Sequence, residues 1–594
     1  MSPEGIRDIH AFGMAYQFPF SGRGLLAVLA ALVAAAAWVR REPSLFRDVT
    51  KASGVDFRWR SDIVEAKLIA TMGGGAAAGD FDNDGKVDLF LPNSVRRARA
   101  ARESNADNCG KLYRGRGDGT FEDVTARSRI RQCGWGHGAF WVDLDNDGWL
   151  DLYVTGLGPK ELWHNNSDGT FTLLPPEKTP DDRRYSIPAA FLDADRDGRL
   201  DVFIGNYVVT TLEAEEALTM RTQKLPDQYD PPGSSMHLQR ADGTWEDVTA
   251  KSGVGAARGR TIGAIAFDYN ADGITDLYLA DDQTENYLFR GRGDGTFEDV
   301  SAETGTDAPA DGPTAFGGRY RSGMGLAVDD YDGDRRPDIF ITNFANEPNT
   351  LYRNVEGQAF EETDAKAGLA APALPYSAWG CNFFDYDNDG WPDLFVSNGQ
   401  ILPRWVYWLM RSFSKGAHNY STGERTYRQP QHLFRNRGDG TFEKLAPEAT
   451  GDLGGIRRAG RGSAAADLDG NGRLDLVLAP IGDPVQIFRN ETPRPGHWLE
   501  ILPVCAGCGR TPLHARVTVS AGGRKLAQEF TIQPSYASGS YLPLHFGLGA
   551  STQVDSVEVA WPEGMAQTLR GPAVDRAYRL SRQDGLMEGL KGLK

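Results

Sequence analysis

Between residues 46 and 490 the chain alternates short apolar runs with dense clusters of Asp, Asn and Gly. Short runs bounded by turn residues predict strands, and a helical 3.6-residue period is rare outside the N-terminus. The clusters repeat as D-x-[DN]-x-[DN]-[GR]-x-x-D, beginning at Asp80, Asp143, Asp193, Asp268, Asp330, Asp385 and Asp467. A small apolar run such as Gly136–Val142 precedes each cluster and a second, such as Asp393–Asn398, follows it. The cluster is therefore the hairpin turn between two strands. Downstream come a Leu-Tyr-Arg-like strand (Leu112, Leu288, Leu351, Leu433), a GDG-type turn and an aromatic strand.

The aromatic positions are Phe46, Phe121, Phe171, Trp245, Phe297, Phe360 and Phe442, and they alternate strictly with the Asp loops. Four strands repeated seven times predict an all-β, seven-bladed propeller over residues 46–490. The last unit lacks an aromatic strand after Asn490, while Phe46–Thr50 precedes any unit that could use it. The N-terminal strand is expected to complete the seventh blade beside residues 485–490.

The Asp loops carry the candidate chemistry. Side chains at positions 1, 3, 5 and 9, with a carbonyl at 7, offer a hard cation five or more oxygens, and Gly at 6 permits the bend. The candidate ligands are Asp80, Asp82, Asp84 and Asp88; Asp143, Asp145, Asp147 and Asp151; and Asp193, Asp195, Asp197 and Asp201. They continue with Asp268, Asn270, Asp272 and Asp276; Asp330, Asp332, Asp334 and Asp338; Asp385, Asp387, Asp389 and Asp393; and Asp467, Asp469, Asn471 and Asp475. Flexible all-oxygen sets favour Ca²⁺ over Mg²⁺, zinc or copper, so up to seven calcium ions are expected. The fifth loop has Arg335 in place of Gly and is expected to bind more weakly.

Charge supports this reading. Five loops with four Asp and two with three hold 26 carboxylates, and seven Ca²⁺ would take the net charge from −17 to −3. The acidic balance excludes a nucleic-acid partner, which needs clustered Lys and Arg. Five cysteines cannot staple so long a chain. Cys109 and Cys133 flank one repeat, Cys505 and Cys508 form a CxxC without the following His of a haem site, and Cys381 is left over. Residues 24–39 are uncharged and apolar, suited to a signal-peptide core or a membrane anchor within an N-terminal segment 1–45.

The loops, the GDGTF-x-DVT strands and the LYRN segments resemble the FG-GAP/VCBS repeats of integrin α-chain propellers. Residues 496–582 resemble the ASPIC/UnbV domain found behind such propellers in the cartilage acidic protein-like family, and residues 583–594 read as a tail. The carrying residues are Gly496–Leu499, Ala515–Val519, Ser538–Tyr541, His545–Gly549 and Val557–Pro562. The resemblance implies an extracytoplasmic, adhesion-like binding protein for a protein or glycan partner, and brings no catalytic residues. It also implies cysteines in the stretch Tyr207–His237, which this chain lacks.

Ligand recognition is expected elsewhere than in the loops. Residues leading the innermost strands, including Trp135, His137, Arg321, Trp379 and Arg461, should ring a central channel and could meet a carbohydrate or anion, or merely fill it. Two excursions, Val208–Met236 and Ile401–Gln431, break the repeat, and the second brings Trp405 and Trp408. No Ser-His-Asp order, HExxH or P-loop supports catalysis. The alternative to a binding protein is a polysaccharide-active enzyme on the same scaffold.

Overall fold

The computed structural model describes residues 45–60, 67–94, 109–219, 222, 224–307, 309–310, 314, 317–401, 427–505, 510–583 and 585–590. The apolar segment 24–39, Trp405, Trp408 and Cys508 lie outside them. Each predicted four-strand unit is an antiparallel meander. Sheet one consists of Ala77–Gly79, Asp88–Leu91, Lys111–Gly115 and Phe121–Asp123. Sheets two to seven begin at Gly136–Val142, Ser186–Leu192, Thr261–Phe267, Leu326–Asp329, Ala378–Phe384 and Ser463–Ala466.

The fourth strand of sheet seven comes from the other end of the chain. Phe46–Asp48 pairs antiparallel with Gln486–Asn490, with Phe46 opposite Asn490. Phe46 is fully buried against Phe384 and Tyr386 of the sixth repeat, with ring centroids 6.3 Å apart in both pairs. First strands of successive sheets pack side by side, and Ser463–Ala466 of sheet seven packs back against Ala77–Gly79 of sheet one. Four of these strands carry a register shift, at Gly136/Gly138, Ser186/Ala189, Thr261/Gly263 and Ala378/Cys381. Such bulges re-aim side chains, and His137, Ile187, Ile262 and Trp379 at these shifts are all buried.

Behind the repeats, His497–Val504, Leu544–Gly549, Arg576–Ser581 and Gly585–Glu588 form one sheet, and Arg516–Ala521, Arg524–Glu529, Val554–Ala560 and Ala566–Arg570 another. The expected tail thus supplies a strand, since Gly585–Glu588 pairs with Arg576–Ser581. A hydrophobic cluster runs from Phe140, Phe191 and Val202 of the repeats into Leu499, Val517, Val557 and Trp561 of the C-terminal domain.

A hairpin from that domain, Gln533–Ser535 and Ser538–Ser540, enters among the first strands of the repeats. Ser538 and Gly539 pair in parallel with Ala139 and Phe140. Ser538 Oγ accepts Ala76 N–H at 2.9 Å, and Ser535 Oγ accepts Cys381 N–H at 3.1 Å. Gly75 is required by this approach, because a Cβ there would lie 1.7 Å from the Ala537 carbonyl oxygen. The tip, Tyr536–Ala537, is buried among Met72, Trp135, Tyr185, Ile262 and Trp379. Phe46→Ala and Tyr536→Ala should each lower stability by about 3–5 kcal/mol, the range for truncating a buried aromatic, as read by denaturant unfolding.

Candidate metal loops and the filled centre

All seven loops share one local construction. The position-1 carboxylate accepts the N–H of position 6 through one oxygen, as from Gly85 to Asp80 at 2.8 Å and from Gly390 to Asp385 at 2.6 Å. Its other oxygen accepts the N–H of position 5 in five loops, as from Asp84 to Asp80 at 3.0 Å. Position 6 has positive φ throughout, 81° at Gly85 and 86° at Gly390, and Arg335 adopts 69° in the fifth loop. A non-glycine residue is uncommon in that region, so loop five keeps the shape at a conformational cost.

The ninth-position Asp has a further role that the spacing did not reveal. One of its oxygens accepts the N–H of position 2, as from Phe81 to Asp88 at 3.0 Å and from Tyr386 to Asp393 at 3.1 Å. The other accepts an N–H at the end of the third strand, as from Gly115 to Asp88 at 2.7 Å and from Asn436 to Asp393 at 2.8 Å. The same pair of bonds recurs at Asp151, Asp201, Asp276, Asp338 and Asp475. Each carboxylate therefore ties its loop to its own sheet before any cation is considered. Where the third strand ends in Asn, its amide also reaches the preceding loop: Asn165 donates to Phe81 O, Asn354 to Tyr269 O, Asn436 to Tyr331 O and Asn490 to Tyr386 O, all at 2.8 Å.

These loops bring their carboxylates together. One ligand oxygen each from Asp80, Asp82 and Asp88 lies within 4.8 Å of the others, and likewise for Asp143, Asp145 and Asp147, for Asp193, Asp195 and Asp197, and for Asp330, Asp332 and Asp338. Burial, then the charges of Asp80 and Asp82, hold the Asp88 carboxyl well above its ordinary range. Burial chiefly pushes Asp80 up to about 7, Asp201 to about 8 and Asp276 to about 9. The buried Oδ1 atoms of Asp82, Asp193, Asp387 and Asp469 have no hydrogen-bond partner. Buried, converging carboxylate oxygens of this kind fit a hard cation.

Cations from the protein offset part of the charge. Arg114 pairs with Asp82 and Asp84, Arg353 with Asp332 and Asp334, and Arg435 with Asp387 and Asp389. His164 takes the equivalent place in the second sheet, with Nδ1 3.2 Å from Asp151 and 3.3 Å from Asp145. Its bond to Asp151 raises it to about 9. The uncompensated charge is smaller than the aspartate count alone suggests.

Of the two expectations for the residues leading the inner strands, a mouth for a ligand or a filled channel, the burial of four of them agrees with filling. Trp135, His137, Trp379 and Arg461 are buried. Trp135 Nε1 donates to His137 Nε2 at 2.8 Å, and His137 Nδ1 contacts the Gly73 carbonyl. Trp379 Nε1 donates to Gly399 O at 2.7 Å, its ring meets Tyr536 edge-on at 4.9 Å, and the Arg461 guanidinium lies 3.8 Å above it. Arg461 donates to the Thr71 carbonyl at 3.0 and 2.6 Å. Arg321 instead bonds Thr350 Oγ1 at 2.8 Å and Glu362 at 2.6 Å. The sequence missed that another domain fills the centre, because no residue of 533–540 announces where it inserts. Cys109 and Cys133 form a disulfide with Cα atoms 4.5 Å apart, and Cys381 is free and buried.

Two outcomes follow from this geometry. Asp393→Ala should cost about 2–4 kcal/mol, from two backbone N–H groups left without their acceptor, and should keep much of its effect in chelator, whereas Asp387→Ala should lose most of its effect there. Urea unfolding with and without EDTA reads the difference. Burial lowers His137 to about 4. Below pH 6.5 the unfolded chain binds a proton that the folded chain refuses, so stability is lost as pH falls from 6.5 to 4, by up to roughly 3 kcal/mol. The stability–pH slope in that window should flatten in His137→Gln.

Comparison with known proteins agrees with this construction. The FG-GAP-like repeat family matches residues 80–154, 143–204, 268–317, 330–396 and 421–478, together about half of the chain, and the ASPIC and UnbV family matches 507–586. Cartilage acidic protein 1 of Homo sapiens is 27% identical over 401 residues, covering 63% of this chain and 50% of that protein. Its Xenopus tropicalis counterpart is 24% identical over 395 residues, covering 63% and 51%. The chain spans about half the length of the curated relatives it matches. Among solved structures, an Agrocybe aegerita lectin that recognises non-reducing terminal N-acetylglucosamine aligns at 15% identity and TM-score 0.36, covering 62% of this chain and 81% of that one. An exotype rhamnogalacturonan lyase aligns at 13% identity and TM-score 0.30, covering 88% and 84%. On the extent of the repeat match, the chain belongs to the FG-GAP-like repeat family.

Proposed function

We propose that this is an exported protein of binding or adhesion type, holding calcium structurally in its loops and engaging an extracellular protein or glycan. The observation that carries the calcium reading is the set of buried loop oxygens without a hydrogen-bond partner, at Asp82, Asp193, Asp387 and Asp469. Such atoms cost free energy unless something satisfies them. Bound calcium would supply positive charge there, while positions 1, 3, 5 and 9 hold and orient it.

The compartment reading is supported by the Cys109–Cys133 disulfide, since disulfides persist in oxidising environments, and by the likeness to cartilage acidic protein 1. Among the described residues no helix is long and apolar enough to cross a membrane. Attachment through residues 24–39 remains part of the proposal, as an uncleaved anchor.

The partner surface is assigned to the face opposite the Asp loops. The C-terminal domain covers loop ends, as where Arg524 donates to the carbonyls of Asp389 and Gly390 at 3.1 and 2.8 Å. Both excursions instead leave from the far ends of second strands, after Asn206 and after Asn398. Val209, on the first excursion, is 58% exposed.

Chelation should lower the melting temperature by about 10 °C or more, since each site at 100 times its dissociation constant contributes about 2.7 kcal/mol. Readdition of calcium should restore it. A pull-down from extracellular material, and a glycan array read for both retention and product release, should give calcium-dependent binding without turnover. An unchanged melting curve in EDTA would sink the calcium reading, and product release would favour the enzyme alternative.

A further inference from the structure

The charges that the C-terminal domain presents to the loop face follow the acid content of each loop. Four of the loops with four aspartates meet a cation from that domain. Arg579 acts on Asp80 of loop one and Arg510 on Asp193 of loop three. Arg516 donates to the Arg335 carbonyl of loop five, and Arg524 to the carbonyls of loop six. Loop two has its own His164. Loops four and seven hold one acid fewer, with Asn270 and Asn471 in place of Asp, and these two meet glutamates.

Glu529 Oε2 accepts the Asp268 N–H of loop four at 3.0 Å, and its Oε1 lies 2.8 Å from His514 Nδ1. Each carboxylate oxygen has two lone pairs, so these bonds leave acceptor capacity. Glu500 is only 5% exposed and lines, with Asp467 of loop seven, a cavity of about 560 Å³ between the domain and the loop face. The two carboxylates repel one another.

The neighbour of Glu500 is His545, with Nδ1 at 3.3 Å. Asn388 donates through Nδ2 to Gly472 O at 2.9 Å, so its Oδ1 takes the Nε2 proton of His545 at 2.9 Å. The Nδ1 facing Glu500 then carries a proton only on a charged imidazole. Elsewhere in loop seven, Asp469 Oδ1 is buried without a partner. A buried glutamate that shares a cavity with a loop lacking one acid, where that loop also holds an unsatisfied oxygen, has the makings of a ligand set completed across domains.

We propose that Glu500 and Glu529 are interdomain calcium ligands, raising loops seven and four to four carboxylates each, so that calcium fastens the C-terminal domain to the loop face. This rests on the reading of the loops as calcium sites. The sharing of ligands makes calcium affinity and domain docking two expressions of one linkage.

Calorimetric calcium titration of the chelator-stripped full chain tests it, with Glu500→Gln and Glu529→Gln, which preserve size and an acceptor oxygen. Each should weaken one site by about tenfold or more, because ligand charge sets calcium affinity, and leave the others unchanged. Adding Asn471→Asp to the first and Asn270→Asp to the second should restore the lost affinity, an outcome that a purely structural glutamate would not give. Wild-type calcium binding with isotherms unchanged in both variants would overturn the proposal, as would loss without rescue. Absence of calcium binding in the wild type would overturn the underlying reading instead. If Glu500→Gln does not fold, the more exposed Glu529 pair decides the outcome by itself.

Discussion

Each repeat depends on a buried carboxylate, the ninth residue of its Asp loop, which takes one N–H from the loop and another from the third strand. That arrangement satisfies backbone donors where the sheet turns and where water is excluded. It also plants a negative charge in the interior. Cationic side chains gathered around the loops answer that charge: Arg114, Arg353 and Arg435 from third strands, and His164. The aspartates serve the fold as hydrogen-bond acceptors and, on the proposed reading, as ligands of an ion.

The second organising contact is between domains. Segments that mark the C-terminal family by sequence are the ones that grip loop six. Gly496 N–H donates to Asp387 O at 2.8 Å, Gly549 N–H to Asn388 O at 2.8 Å, and His545 meets Asn388 Oδ1 at 2.9 Å. A Cβ on Gly547 would lie 1.8 Å from Asp385 Oδ2. The Tyr536 hairpin carries the same union into the centre of the repeats, where it meets Trp379 edge-on. The leading ends of the first strands meet there in a packed core.

Strand order was legible in the sequence because it follows from local rules: an Asp-Gly turn, a GDG turn and one aromatic per repeat dictate four strands. The pairing of Phe46–Asp48 with Gln486–Asn490 was also legible, because a surplus strand at one end matched a deficit at the other. The loop residues could be named for the same reason. Trp135, His137, Trp379 and Arg461 could be placed on the inner strands but not judged buried, since their cover lies far along the chain. Arg321 sits on the same register yet turns to Glu362, a choice set by a neighbouring strand's charge. The two hydrogen bonds of the ninth aspartate were not legible, because a regular spacing cannot separate a ligand from a backbone anchor.

The seventh sheet joins residues 438 positions apart, as in the bond from Gln486 to Asp48. Its completion waits for almost the whole chain, and the Tyr536 plug waits longer still. Distant pairing of this kind slows folding, because loop-closure entropy is spent before the contacts repay it. A nascent chain therefore holds an unpaired first strand until residues 486–490 are made and an unfilled centre until residues 533–540 are made. The final geometry forms late and as a unit. The contacts that join the seventh sheet and fill the centre are thus the ones the chain order makes available last among those of the repeats.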